Sequence, residues 1–143
     1  MLYFDTSFLT PLLLQEQSTA RVERYVAQLP AGTLYISHWT RVEFASLIAR
    51  EVCMSSLSPD QGREILGQFG KLIEESYRVV TPGVADFELA MRFVSEFSSG
   101  LRAGDALHLA IARNHDAEQV LSLDDGLLKA AKMLKVKAGR GIR

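Results

Sequence analysis

Residues 101–113, LRAGDALHLAIAR, constrain this chain more than any other stretch. After Gly104 the apolar residues Ala106, Leu107, Leu109, Ala110, Ile111 and Ala112 run almost all round a helix. A helix that is apolar on every side has to be buried on every side, so the rest of the chain must supply elements to cover it. Small residues at Ala103, Ala106, Ala110 and Ala112 admit those neighbours closely. One carboxylate, Asp105, stands at the mouth of this helix. Either it caps the helix and complements the dipole, or it faces a cleft and holds a cation. The positions of the other carboxylates decide between the two.

In chain order, residues 1–4 form a short apolar run with two aromatics, a buried strand ending at Asp5. Thr6 and Ser7 lead into a helix carrying Phe8, Leu9 and Leu12 to Leu14, where Pro11 is expected to fit only in a first turn. Val22, Tyr25, Val26 and Leu29 give an amphipathic helix over 18–29, closed by Pro30 and Gly32. Residues 33–37, TLYIS, make a second strand, followed by a helix over 40–52 in which Thr40 and Glu43 fit a capping box. Cys53 is expected to be a small buried packer beyond it. Ser58, Pro59 and Gln61 announce the next helix, with Ile65, Leu66, Phe69, Leu72 and Ile73 as its apolar stripe. Residues 77–80 are a third strand. Thr81 and Pro82 then start a helix whose Phe87, Ala90, Met91, Val94 and Phe97 are expected to face inward. Beyond the central helix, 119–123 make a fourth strand ending at Asp124 and Asp125; a short last helix carries Leu127, Leu128, Ala131 and Leu134, and Val136 begins an edge strand.

Strands alternating with helices predict one α/β domain over 1–143, a mainly parallel sheet of about five strands with helices on both faces. The length fits a single domain. A net charge of −1 and 48% hydrophobic residues exclude disordered, collagen-like and strongly basic nucleic-acid-coating classes. That average hides a basic end: Lys129, Lys132, Lys135, Lys137, Arg140 and Arg143 occur with no acid among them, either as a solvated face or as an anion-binding strip. A single cysteine rules out a disulfide framework and a cysteine metal site. With no signal-peptide pattern and no apolar run of membrane-spanning length, a cytoplasmic protein without membrane contact is expected.

In a parallel sheet the carboxyl ends of the strands line one edge, where ligands bind at the topological switch point. Asp5 and Asp124 fall at strand ends, and Glu43 and Asp105 near helix starts that reach the same edge. Four carboxylates sharing a small cleft raise one another's pKa at a cost of several kcal/mol, so a cation is required. No lysine or arginine recurs beside each acid, and oxygen-only ligands suit Mg²⁺ or Mn²⁺. His108 stands one turn after Asp105, but a histidine packed in a helix is ordinarily a core residue.

The segments LYFDTSFL around Asp5, Glu43 after the second strand, GDALHLAIA around Asp105 and LSLDDGL at Asp124 resemble PIN-domain proteins, closely the VapC-type toxins of toxin–antitoxin pairs. The resemblance covers essentially the whole chain. It implies a Mg²⁺- or Mn²⁺-dependent endoribonuclease with Asp5, Glu43, Asp105 and Asp124 as acidic quartet, Thr6 or Ser7 and Ser122 as the small hydroxyl positions, and Asp125 as an alternative to Asp124. In-line attack of an activated water then leaves a 5′-phosphate. A small antitoxin docked on an apolar groove near Leu12 to Leu14, Val22 and Tyr25, and a homodimer, are also implied. Two other classes compete. A magnesium-dependent phosphohydrolase of small molecules, in its haloacid-dehalogenase-like form, wants a second Asp two residues after the first, where Ser7 stands. A PIN-like interaction module would keep the fold without needing the acids, and all four are present.

Overall fold

The computed structural model describes residues 1–143. Five strands, β1 (Leu2–Phe4), β2 (Leu34–Ser37), β3 (Arg78–Val80), β4 (Gln119–Leu121) and β5 (Ala138–Gly139), form one parallel sheet in the order β3-β2-β1-β4-β5. The chain steps outward from β1 to β3 and then returns to the other side of β1. The switch point therefore falls between β1 and β4, at the carboxyl end of the central strand.

Seven helices cover the sheet: α1 (Thr6–Leu13), α2 (Thr19–Val26), α3 (His38–Cys53), α4 (Pro59–Ser76), α5 (Val84–Ser95), α6 (Ala103–Asn114) and α7 (Asp125–Met133). Side chains alternate along each strand, and the two resulting cores follow that alternation. Tyr3 and Val120 join α5, α6 and α7 on one face, around Leu89, Phe93, Leu109, Ile111 and Leu127. Phe4 and Leu121 turn to the other, against Phe8, Phe44, Ile48, Phe69 and Ile73. Every residue of α6 from Ala106 to Ala112 is buried, as its all-round pattern demands. Full burial of a large apolar side chain contributes about 1.5–3 kcal/mol, so these two layers hold the strand ends rigidly in place.

Several local expectations are corrected. Of the predicted inward stripe only Ala90 points in, beside Asp86, Leu89 and Phe93; Phe87, Met91 and Val94 are 57%, 66% and 38% exposed, as is Phe97, just past the end of α5, at 90%. Both stripes have helical spacing, and a polar anchor chooses between them. Asp86 accepts hydrogen bonds from the Gly83 amide (2.8 Å) and the Asn114 amide group (2.9 Å), and lies 3.3 Å from His115 Nε2, pinning that face to the end of α6. The helix starts at Val84, after Pro82 rather than at it. Cys53 is exposed because the last turn of α3 leaves the core after Ile48. Pro11 lies in the second turn of α1; that helix ends two residues later, so the missing amide costs a single bond. The fourth strand stops at Leu121, two residues early, since Ser122 turns toward Asp5. The last edge strand is Ala138–Gly139, just beyond Val136. No helix is long and apolar enough to cross a membrane.

Candidate active site

Asp5 leaves β1 and caps α1. Its Oδ1 accepts the Phe8 amide (3.1 Å) and the Ser7 hydroxyl (2.8 Å), and its Oδ2 accepts the Ser122 hydroxyl (2.8 Å) from the end of β4. Ser7 and Ser122 also accept the amides of Leu123 (2.9 Å) and Asp124 (3.0 Å), so two small hydroxyls sew the ends of β1 and β4 around one carboxylate. Burial pushes the Asp5 pKa up, and the charge of His108 and these three hydrogen bonds offset the rise only in part.

Glu43 does not close a capping box with Thr40. The helix begins three residues earlier than that pairing requires: Ser37 is the cap, its hydroxyl accepts the Thr40 amide (3.3 Å), and Thr40 Oγ1 accepts the Ser37 amide (3.2 Å). Glu43 therefore lies in the second turn with its carboxylate directed across the sheet edge. Its Oε1 accepts the Thr6 hydroxyl in a short hydrogen bond and lies 2.6 Å from His108 Nε2. Its Oε2 lies over Gly104, where an added Cβ would come within 2.8 Å of it and 3.2 Å of the Trp39 ring. Gly104 is thus a cradle for the carboxylate.

His108 is fully buried, and its ring nitrogens are both engaged. Nδ1 lies 2.9 Å from the Tyr3 hydroxyl, which donates to Ser37 Oγ at 2.9 Å. The single phenolic proton points to Ser37, so Nδ1 must donate to Tyr3 and Nε2 to Glu43, which makes the ring an imidazolium. Burial works against that charge, but Tyr3, Glu43 and Asp5 outweigh it and hold the His108 pKa well above its ordinary value. Glu43 moves the other way: burial raises its pKa, while the hydrogen bond and charge of His108 and the Thr6 hydroxyl bring it below the usual range. The sequence pointed to a packed core histidine; the structure makes it the partner of Glu43. Its one-turn spacing from Asp105 was the available signal.

Asp105 is not a cap. α6 starts at Ala103 behind Arg102, and Asp105 sits in its first turn with no hydrogen bond to offset its charge. Burial and then the Asp124 charge raise its pKa, His108 lowers it, and Glu43 and Asp5 raise it further, to about 6. The nearest positive charge, His108, is already committed to Glu43. Asp124 caps α7, accepting the Leu127 amide at 3.0 Å, and remains exposed. Its neighbour Asp125 turns away to pair with Arg140.

As the side chains stand, no three of the His, Cys, Asp and Glu residues enclose a single ion position. The donor set nevertheless fits a hard divalent ion: it is all oxygen, its four carboxylates carry more charge than His108 alone can neutralise, and the hydroxyls of Ser7, Ser122 and Thr6 help to hold Asp5 and Glu43 in place. The basic residues are spread out. Lys129 and Lys132 are exposed along α7; Lys135 and Lys137 precede β5, flanking Arg113 and Glu118 at the opposite edge of the sheet; Arg140 follows β5 at the acidic edge.

A parallel sheet with a buried aspartate after its central strand, ringed by three more carboxylates, defines an α/β domain with an acidic ligand cleft at its switch point. The chain belongs to the PIN domain family, whose model matches residues 2–133. Among solved structures it is similar to VapC20 of Mycobacterium tuberculosis, described as a sarcin-ricin loop cleaving toxin, at 18% identity over 91% of this chain and 95% of that one, with a TM-score of 0.72. FitAcB from Neisseria gonorrhoeae is similar at 19% identity, 99% and 98% coverage and a TM-score of 0.73. A structure of FitAB bound to an IR36 DNA fragment follows at 19% identity, 97% and 94% coverage and a TM-score of 0.76. None of the curated proteins matches the chain in sequence.

Proposed function

We propose that this protein is a Mg²⁺- or Mn²⁺-dependent endoribonuclease, the toxin of a toxin–antitoxin pair. The observation that carries this is Asp105: an acid with a pKa of about 6, pressed by Asp124, Glu43 and Asp5 and paired with nothing. A divalent ion bound there would neutralise phosphate charge and activate water for in-line attack. Asp5, fixed by Ser7, Ser122 and the Phe8 amide, and Glu43, fixed by His108 and Thr6, would bind it as rigid ligands; Asp105 and Asp124 would supply the remaining charge. RNA as substrate is supported by the similar fold of VapC20, a sarcin-ricin loop cleaving toxin. The test is cleavage of total cellular RNA with and without Mn²⁺, with ends mapped. Cleavage should need the ion, leave 5′-phosphates and vanish in Asp5→Asn and Asp105→Asn proteins that remain folded. Metal-independent cleavage, or full activity in those variants, would defeat the proposal.

The antitoxin would dock in an apolar groove of ≈ 460 Å³ between α2 and α4, lined by Leu12, Val26, Leu29, Leu34 and Leu72. Tyr77 lines this groove, and its hydroxyl is buried without a hydrogen-bond partner. Of the residues expected on that surface from the sequence, Val22 is fully buried, and Tyr25 is half-buried, edge-on against Phe8. The exposed apolar side of α5 would pair two copies of the chain.

A further inference from the structure

An acidic edge repels a phosphate backbone, so an RNA-cleaving protein of net charge −1 needs cations beside its acids. The lysines that precede β5 cannot supply them at that edge. The tail after β5 does something different. Arg140 pairs with Asp125, next to Asp124. Gly141 then adopts a left-handed φ of 66° and passes so close over the Tyr25 ring that a Cβ would meet it at 2.7 Å. Ile142 packs against the core, and the Arg143 carbonyl accepts a hydrogen bond from Arg21 at 3.0 Å. Tyr25 in turn rests on Phe8, three residues from Asp5, with ring centroids 5.9 Å apart.

This path gathers Arg21, Arg24 and Arg143 around a cleft of ≈ 430 Å³ that no acidic side chain lines. None of the three guanidinium groups is in a salt bridge. Arg21 and Arg24 share one face of α2 by their i,i+3 spacing. The span from Arg140 to Arg143 is at most about 10 Å of extended chain, so the cleft opens beside the acidic edge. Like charges assembled with no acidic side chain among them repel, Arg21 meets only the Arg143 main-chain oxygen, and the planar fork of arginine matches phosphate oxygens.

We infer that the Arg21, Arg24 and Arg143 cleft grips the phosphate backbone of single-stranded RNA beside the acidic edge. This rests on the proposed ribonuclease function and adds to it where the strand leaves the acids. Tyr25 forms the floor, and the glycine at 141 is what lets the tail lie on it.

The test is binding of a fluorescent oligouridylate to the full chain in EDTA, where no cleavage occurs, measured across a series of salt concentrations. Each phosphate contact contributes about −0.7 to the slope of log binding constant against log salt. Arg21→Gln with Arg24→Gln should flatten the slope by about 1.4. Lys135→Gln with Lys137→Gln should leave it unchanged. Melting temperature and Mn²⁺ binding should stay at wild-type values in both, since all four residues are exposed. An unchanged slope in the arginine variant, or a loss confined to the lysine variant, overturns the inference while leaving the ribonuclease proposal standing. So does an arginine variant that binds RNA normally but no longer holds the antitoxin, which would assign the cleft to the protein partner. A wild-type chain that binds no RNA at any salt defeats the ribonuclease proposal itself.

Discussion

At the scale of single residues, Asp5, Glu43 and Asp124 each accept hydrogen bonds and Asp105 accepts none. Glu43 is neutralised by a buried imidazolium and Asp105 by nothing, and the difference is testable. Asp105 has a folded pKa of about 6 against 3.8 for the free side chain, so the folded state prefers it protonated. Its penalty is absent below pH 3.8, grows as pH rises between those values and is complete above 6. In EDTA, Asp105→Asn should therefore melt a few degrees above wild type at pH 7.5 and at the same temperature at pH 3.8. The residue is open to solvent on one side, so screening keeps the gain below the full linkage value. Adding Mn²⁺ at pH 7.5 should stabilise wild type and not the variant; equal melting curves at both pH values would show that the acid is not under strain. For His108 the sign is opposite. Removing it by His108→Ala leaves Glu43 half-buried and unpaired, at a cost of about 3 kcal/mol, the low end for breaking a buried pair. Denaturant unfolding would measure that, and His108→Gln, which can still donate to Glu43, should recover much of it.

Among the elements, legibility in the sequence followed how many physical signals agreed. The strands, the switch point and α6 were readable because apolar runs, turn residues and helical spacing all pointed one way. The outward turn of α5 was not, since two stripes of equal spacing compete there and the choice rests on Asp86 meeting Asn114 and His115, residues nearly thirty positions away. The start of α3 was misplaced for a similar reason: Ser37 and Thr40 make the same capping pattern as Thr40 and Glu43, and only the Tyr3 and His108 contacts show which is used. The four acids were legible as a set, while their unequal partners were not. Gly104 is where the elements meet most tightly, as α6 passes beneath the Glu43 carboxylate. Gly104→Ala should push Oε2 away from its 2.8 Å approach and disturb Trp39, whose buried indole N–H already lacks an acceptor. At a helix position alanine alone would stabilise by up to about 1 kcal/mol. A variant that keeps its melting temperature yet binds Mn²⁺ several-fold more weakly is the expected result; unaltered Mn²⁺ affinity would mean Glu43 moves without consequence.

For the whole molecule, the unsolved surface is α5. Val84, Phe87, Met91, Val94 and Phe97 are 75%, 57%, 66%, 38% and 90% exposed, a concentration of large apolar side chains of the kind that marks an interaction surface. Between them and the start of α6 lies a cleft of ≈ 570 Å³ floored by Trp39, Ala90, Gly104 and Leu107. Glu88 and Arg92, of opposite charge, are exposed on the same helix, each next in sequence to a residue of the apolar patch. An isologous pair places the same patch on both sides, so antiparallel α5 helices would set Glu88 of one copy against Arg92 of the other while Phe87 and Met91 fill the two clefts. Gly104 precedes Asp105, so this pairing would bring two acidic edges alongside one another and let one strand of RNA meet both. The prediction is a species of twice 15.9 kDa by light scattering at micromolar concentration. Met91→Glu should convert it to a monomer without lowering its melting temperature at high dilution, because burying an unpaired carboxylate in the seam costs several kcal/mol while the same side chain is harmless in water. Leu66→Glu, on the exposed side of α4, should leave the dimer intact. A wild-type chain that stays monomeric at 100 μM, a concentration about tenfold above that needed for a Kd of 10 μM, would show that α5 is covered by something other than a second copy.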